Sequence, residues 1–452
     1  MTTVEQRASA FGELPIKRAV IKQIVPAIAG QMVVLIYNLA DTYFVGMLND
    51  PAQTASVTVA GPALLMLTAL SNLFGIGGAS LMAQSLGRKN PELATRVSTL
   101  AFYGGLLLSL LFSLAVLFFA KPLLYLCGAT DSTYPHVLSY VKWVIMIGGP
   151  FTVLNTLLAN LVRAEGGASS AFIGVSLGGA INIALDPFFV LPQFLSFGVG
   201  GAGLATAISN MAATAYYVIY LAVKRGSTII SLDPRNLKSG IKEIGAVLSL
   251  GFPSAMQYVL TVVAVAAQSR FVSMYGTEAV AALGIVKKLD QLPIFFALGV
   301  ANGLLPLLAY NHAAGKHERR RSAFRFGCTI AVSFAFLCLI AYEIFAPTLA
   351  GLFIDDPLTT EYGAAFLRIM VTAMPLMAIS YPLIVQFQAI GKVRESLICS
   401  LLRKGVLDIP MLFIMSAVWP LYGCMLVQPI VDGISLTAAM LFNRRIRAQG
   451  NG

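Results

Sequence analysis

Apolar runs of about twenty residues or more recur along the whole chain, and nothing else in the sequence restricts its folding so strongly. A run of that length spans a ~30 Å hydrocarbon core as a helix. Twelve can be delimited, at roughly 19–47, 55–86, 97–120, 136–162, 169–191, 201–223, 243–274, 278–310, 323–346, 360–390, 395–419 and 422–443. Of the 452 residues, 57% are hydrophobic and 11% charged, with mean hydropathy +0.79, whereas a soluble chain carries about a quarter charged residues. The expected fold is therefore an all-α integral membrane protein of twelve transmembrane helices. The first eighteen residues are polar, and the first run lacks a short apolar region followed by a small-residue cleavage site, so no cleaved signal peptide is expected.

The net charge of +11 raises the question of an acidic partner such as nucleic acid. Its distribution answers against one. Alternating the twelve runs across a membrane places 25 of the 31 Lys and Arg on one side, among them Arg7, Lys17, Arg88, Arg163, Lys224, Arg319, Arg320, Arg321, Arg403, Lys404 and Arg444. The opposite loops hold Lys121 and the acidic residues Asp355, Asp356 and Glu361. That asymmetry is the positive-inside rule with both termini cytoplasmic, as expected of a multi-pass protein of the cell (plasma) membrane. Five cysteines (Cys127, Cys328, Cys338, Cys399, Cys424) form no CxxC pair, and His136, His312 and His317 are scattered, so neither a disulfide framework nor a metal centre of that type is expected.

The chain also repeats itself. Pro26 and Pro253 occupy matching early positions in the first and seventh runs, 227 residues apart, and Phe44-Val45 recurs as Phe271-Val272 at the same offset. Gly75 pairs with Gly299, and Ala164-x-Gly166 with Ala389-x-Gly391, at 224 and 225. Six helices is an even number, so the halves share one orientation: two six-helix bundles as parallel repeats, a transporter plan that places substrate between the halves. The divisions expected are a cytoplasmic tail 1–18, an N-lobe 19–225, a cytoplasmic linker 226–242 and a C-lobe 243–447.

Within this apolar setting, INIALDPFFV carries a carboxylate, Asp186, followed by a helix breaker, Pro187. An intramembrane Asp costs about 2.5–3.5 kcal/mol on insertion scales and marks function by default. It has company. Asp41 and Asp186 each lie about five residues before the outer end of their runs, and Thr206 about five past the start of its own, which puts all three ~8 Å below the boundary. Asn182 is one turn before Asp186 and Tyr37 one turn before Asp41. Two carboxylates, an amide and a hydroxyl at one depth suit a sodium ion or a shared proton, since two nearby carboxylates in low dielectric do not both ionise easily. The carboxylates alone can account for coupling, which favours the proton. Pro187 removes a backbone donor and leaves a carbonyl beside Asp186 for a cation to use. Asp41 corresponds by repeat to Gln268 and Asp186 to Met411, so the acidic pair belongs to one half.

IYNLADTYFVG, RAEGG followed by NIALDP, GAGLATAISN and PLLAYNHAAGK together resemble the multidrug and toxic compound extrusion (MATE) family, most closely its MepA-like branch, over essentially the whole chain. The resemblance implies two six-helix bundles forming a V and export of cationic drugs against entry of Na⁺ or H⁺. It also implies that Asp41, Asn182, Asp186 and Thr206 form the cation-coupling site, with Tyr37 beside it. Tyr37, Asn155, Gln268 and Asp290 are candidates for the cavity wall, and Pro26 and Pro187 for hinges. In the C-lobe, Asp290 lies a turn from Lys287 and Asp408 a turn from Lys404, pairs read as structural; Asp432 is a third C-lobe acid. No cofactor is expected beyond the coupling ion, and the partners expected are small cationic drugs and the bilayer, with the chain monomeric.

Other readings fit less. GVGGAG at 198–203 matches a dinucleotide fingerprint but opens a membrane helix rather than following a strand. Gly315-Lys316 and Gly391-Lys392 are followed by His317 and Val393, so no Walker A exists to support ATP-driven transport. A membrane-embedded enzyme would want repeated DxxxD clusters, or YD with GxGD, and neither occurs. The major facilitator signature is replaced by SLGRKNPEL. A lipid-linked saccharide flippase of related fold is the alternative, kept open by Arg270, Lys287 and Lys288, because its substrate carries phosphates.

Overall fold

A computed structural model describes residues 11–354 and 356–448. The first ten residues of the expected tail, Arg7 among them, and Asp355 lie outside the described residues. Every regular element among the described residues is helical. In chain order the first half gives α1 (Ile16–Gly46), α2 (Pro51–Gly87), α3 (Pro91–Phe118), α4 (Tyr134–Ile147 with Gly149–Ala164), α5 (Ala168–Val190) and α6 (Val199–Val223). The second gives α7 (Ile244–Val272), α8 (Thr277–Ala313), α9 (His317–Gly351), α10 (Pro357–Val371 with Met374–Ala389), α11 (Val393–Leu401 with Asp408–Val418) and α12 (Tyr422–Ala448). Nine of these are long and apolar enough to cross a membrane unbroken; α4 and α10 reach that length as bent pairs.

The repeat is visible in the backbone. α4 bends by 52° at Gly148 and α10 by 46° at Ala373, and at each bend a proline, Pro150 or Pro375, opens the second segment. Proline fits a helix start, where its missing N–H has no intrahelical partner to lose. The Ala-x-Gly pairs are helix C-caps: Gly166 (φ 92°) and Gly391 (φ 75°) take the left-handed conformation that ends a helix cheaply. The following N–H then closes on a carbonyl five residues back, Gly167 to Val162 at 2.9 Å and Lys392 to Phe387 at 2.8 Å. α11 has no such counterpart. Lys404 (φ −136°, ψ 118°) and Gly405 (φ 104°) leave helical geometry in its middle, so Arg403 and Lys404, counted with the charges of the cytoplasmic side, lie at a break within the span.

The twelve helices form two lobes, α1–α6 and α7–α12, which meet along α2 against α7 and α1 against α8. Close approaches between the lobes gather in the halves nearer the chain termini. A Cβ at Gly77 would collide with the Val247 carbonyl, and one at Gly251 with the Leu73 carbonyl; symmetrically, a Cβ at Gly303 would stand 2.7 Å from Ile24 Cα. Ser80 Oγ donates to the Gln388 carbonyl (3.1 Å) and Gln84 Nε2 to the Ala389 carbonyl (3.1 Å) at the same level. Residues 227–233 lie as a strap on the first lobe: Thr228 Oγ1 donates to Glu165 Oε2 (2.6 Å), and Tyr103 donates its hydroxyl to the Leu232 carbonyl (2.9 Å).

Candidate functional site

α1, α4, α5 and α6 converge about two turns below the end remote from the termini. Asp41 comes from α1, five residues before Gly46; Asp186 comes from α5, four before Val190. Asp41 is 7% exposed, Asn182 1% and Asp186 0%. The two carboxylates lie within electrostatic reach of each other, and Tyr37 of Asp41. Tyr140 Oη donates to Asp41 Oδ2 at 3.4 Å, and Asn182 Nδ2 to Thr206 Oγ1 at 3.3 Å. α1 can pack this near because α5 presents Gly179 to it; a Cβ there would press into Val33 and stand 3.4 Å from Tyr37 Cδ1. Proline at 187 leaves the Ile183 carbonyl without its helical donor, on the turn that holds Asp186.

What the site lacks is donors. Asp41 Oδ1, Asn182 Oδ1 and both oxygens of Asp186 are buried without a hydrogen-bond partner among the described residues. Unpaired buried acceptors, above all on a carboxylate, are costly. Four such oxygens on neighbouring residues of one lobe are matched in chemistry by a hard cation or by protons carried on the carboxyls.

Asn155 is tied into the same lobe. Its Nδ2 donates to Asn210 Oδ1 (2.9 Å), whose own Nδ2 donates to the Thr206 carbonyl (2.9 Å), so Thr206 receives Asn210 on its carbonyl and Asn182 on its hydroxyl. Tyr140 and Asn210 were not singled out from the sequence. Tyr140 sits six residues into α4, the depth that drew attention to Asp41 and Asp186, and applying that depth count to hydroxyls as well as acids finds it.

Gln268 and Asp290 lie elsewhere, in the second lobe. Gln268 Nε2 donates to the Cys424 carbonyl (3.0 Å), and Asp290 is 4% exposed with Oδ1 unpartnered. Their neighbourhood differs from the pairing expected by helical spacing. Asp408 Oδ2 accepts from the Gly405 N–H (2.7 Å), and Lys404 Nζ reaches Gln428 Oε1 (3.2 Å). The helix is broken between Lys404 and Asp408, so a four-residue spacing no longer puts them on one face. The buried ion pair is Arg403 Nε with Asp432 Oδ1 (2.9 Å), the guanidinium lying 3.7 Å over the Tyr381 ring. Pro26 lies within α1, which runs through it as one helix. Among the described residues no group of three or more His, Cys, Asp or Glu could hold a metal.

This two-lobed, twelve-helix arrangement is that of a MATE transporter. One solved MATE structure, in the straight conformation, matches with TM-score 0.90 and 25% identity over 98% of this chain and 99% of its own. Another, the outward-facing conformation of a multidrug resistance MATE family transporter, matches with TM-score 0.87 and 25% identity over 97% of each chain. The MatE family profile matches residues 26–188 and again 253–414, once in each lobe. The multidrug export protein MepA of Staphylococcus aureus is 30% identical over 431 residues, 95% of this chain and 94% of its own. The chain belongs to the MatE family, whose members are transporters rather than enzymes.

Proposed function

We propose that the protein is a secondary active multidrug exporter that antiports organic cations against H⁺ or Na⁺ by alternating access. The observation that carries this reading is the set of four unpartnered acceptor oxygens on Asp41, Asn182 and Asp186. Such a pocket is stabilised by taking up a cation or proton, and that uptake supplies the drive. Similarity to a multidrug export protein over nearly the full length supports the cargo class. One charge moving through ~100 mV supplies about 2.3 kcal/mol, enough for a roughly fifty-fold concentration gradient without ATP.

The lobes are closed at the terminal end and have their N-lobe site at the other. With both termini cytoplasmic in the plasma membrane, this is the state that releases drug outward and receives the coupling ion. The chain acts as a monomer, with Pro26 as the point where α1 bends during the return. Efflux of ethidium from proteoliposomes under an imposed pH gradient, and then under an imposed sodium gradient, tests the proposal. Efflux driven by at least one gradient is expected. Failure of both, together with movement of lipid-linked saccharides dependent on Lys287 and Lys288, would establish the flippase alternative.

A further inference from the structure

At the terminal end, where the lobes are closed, basic side chains from both gather without acidic partners among the described residues. Gly87 lies so near the Tyr310 carbonyl that a Cβ would stand 2.4 Å from it, which brings Arg88, at the end of α2, beside the end of α8. There Arg88, His317, Arg320 and Lys392 all lie within electrostatic reach of His312, and Arg447 of α12 lies within reach of Arg320. No carboxylate is among the charges that act on Arg320 or Arg447. The ion pairs of the described residues lie elsewhere, at Arg96, Arg368 and Arg403.

Arg320 is 2% exposed. Its Nη1 donates to His312 Nδ1 at 3.1 Å, an arginine having no acceptor to offer, and its Nε has no hydrogen-bond partner. His317 Nδ1 is likewise buried and unpartnered. The repeat shows what is missing here. In the first lobe Asn90 caps α3, its Oδ1 accepting from the Leu93 N–H (3.0 Å). At an offset of 226 the position before α9 is Lys316, which gives no side-chain cap and sends its ammonium to the Gly12 carbonyl. The first N–H groups of α9 thus lack a side-chain acceptor and share their end with Arg320, a charge that the helix dipole disfavours. An anion meets both demands. The rim is open to receive one: Arg88 is exposed, and His312, Lys392 and Arg447 are partly so. Nothing lies within 4 Å of where a Cβ would stand at Gly315 or Gly391, in the turns before His317 and Lys392.

From this we infer that the terminal end carries a site for a phosphate group, held by Arg320 and the start of α9 on its inner side and by Arg88 and Lys392 at the rim. Arg88 belongs to the first lobe and the others to the second, so the bound phosphate bridges the lobes. Basic pockets at headgroup level take the phosphates of anionic lipids, and free phosphate offers the same chemistry. Phosphate binding here does not depend on what the protein exports.

Calorimetric titration of inorganic phosphate into the full chain in phosphatidylcholine nanodiscs, at constant ionic strength and against empty nanodiscs, tests it. Saturable binding is expected. Arg88→Gln and Lys392→Gln should each weaken it about tenfold, the loss of one hydrogen bond to a charged group. Arg320→Gln should abolish it, and because that buried variant can fail to fold, the two rim variants carry the decision. Lys238→Gln, which removes the same charge from an exposed position in the linker, should leave binding unchanged. No saturable binding, or an equal loss with Lys238→Gln, would overturn the site. A loss with only one of the two rim variants would overturn the bridge between lobes. Repeating the titration with phosphatidylglycerol in the discs, at the same ionic strength, separates the two sources of the phosphate. Unchanged affinity assigns the site to free phosphate and competition to a lipid headgroup, the losses at the rim being expected in both.

Discussion

Among the described residues Asp186 has no hydrogen-bond donor to either oxygen, and Asp41 has one long bond from Tyr140. A carboxylate in that position is tolerable only when its charge is met by something that comes and goes. Asp41→Asn and Asp186→Asn should each abolish coupled efflux while leaving insertion and folding intact, because the amide fills the same volume. Wild-type transport by either variant at equal expression would remove that residue from the coupling mechanism. Asn182 and Thr206 decide between the ions. A proton needs only the carboxylates, whereas Na⁺ needs several neutral oxygens at contact distance. Thr206 Oγ1 already accepts from Asn182, which turns the Asn182 oxygen free. Calorimetric titration with Na⁺ at a pH where both acids are ionised should show no heat if protons couple. A sodium heat that disappears in the Asn182→Ala, Thr206→Val double variant would establish sodium instead. The acids, the amide and the hydroxyl of this site are legible in the sequence, because depth follows from counting residues along a helix. Tyr140 is legible only by extending that count to every polar residue, and the orphaned oxygens not at all, since a missing partner is a fact of three dimensions.

At the scale of elements, the clearest departure from sequence expectation is α11. Its run reads as one apolar helix, but Lys404 and Gly405 break it, and Gly405 is at φ 104°, where a side chain is strained. The break carries Arg403 into the lobe, where its side chain is 0% exposed against Asp432 and Tyr381. Charge counting places Arg403 with the charges of the cytoplasmic side because topology rules see charge and not its partner, and that partner stands 29 residues away on another helix. Removing one member of such a pair leaves an uncompensated buried charge. Arg403→Met should therefore destabilise the protein by about 3–5 kcal/mol, measured by thermal or denaturant unfolding in detergent. Arg403→Met combined with Asp432→Leu should recover most of the loss. If the double variant is no more stable than the single one, the break in α11 is held by the Tyr381 stacking rather than by the ion pair. The bends of α4 and α10 were equally hidden. Both runs keep their hydropathy through Gly148 and Ala373, and what marks the bends is a proline at one repeat position in each half.

Across the whole molecule, twelve apolar runs and landmarks repeating at offsets of 224 to 227 residues are enough to read two parallel six-helix lobes, because span length and internal repetition are properties of the string itself. How the lobes meet is not, since the crossing depends on which glycine faces which carbonyl. The structure puts that meeting in the terminal halves of α1, α2, α7 and α8, through Gly77, Gly251 and Gly303. The segment just before α1 adds a tie between lobes. Phe11 is 1% exposed, and its carbonyl accepts from Asn311 Nδ2 (3.1 Å) and Arg319 Nε (2.9 Å) of the second lobe. Lys316 Nζ donates to the Gly12 carbonyl (3.1 Å), and Arg319 Nη2 to that of Leu14. The proposed alternating access requires this end to open, and these bonds would then break in each cycle. Holding them together should arrest transport without touching the N-lobe site. Cysteines introduced as Gly12→Cys and Lys316→Cys, with Cys127→Ser and Cys328→Ser to remove the half-buried native thiols, can be joined by a short bismaleimide. The linked protein should still bind ethidium from the open end and should lose efflux in proportion to the fraction linked, while each single-cysteine variant stays active after the same treatment. Full efflux from completely linked protein would mean that the segment before α1 travels with the second lobe, and that the opening lies elsewhere.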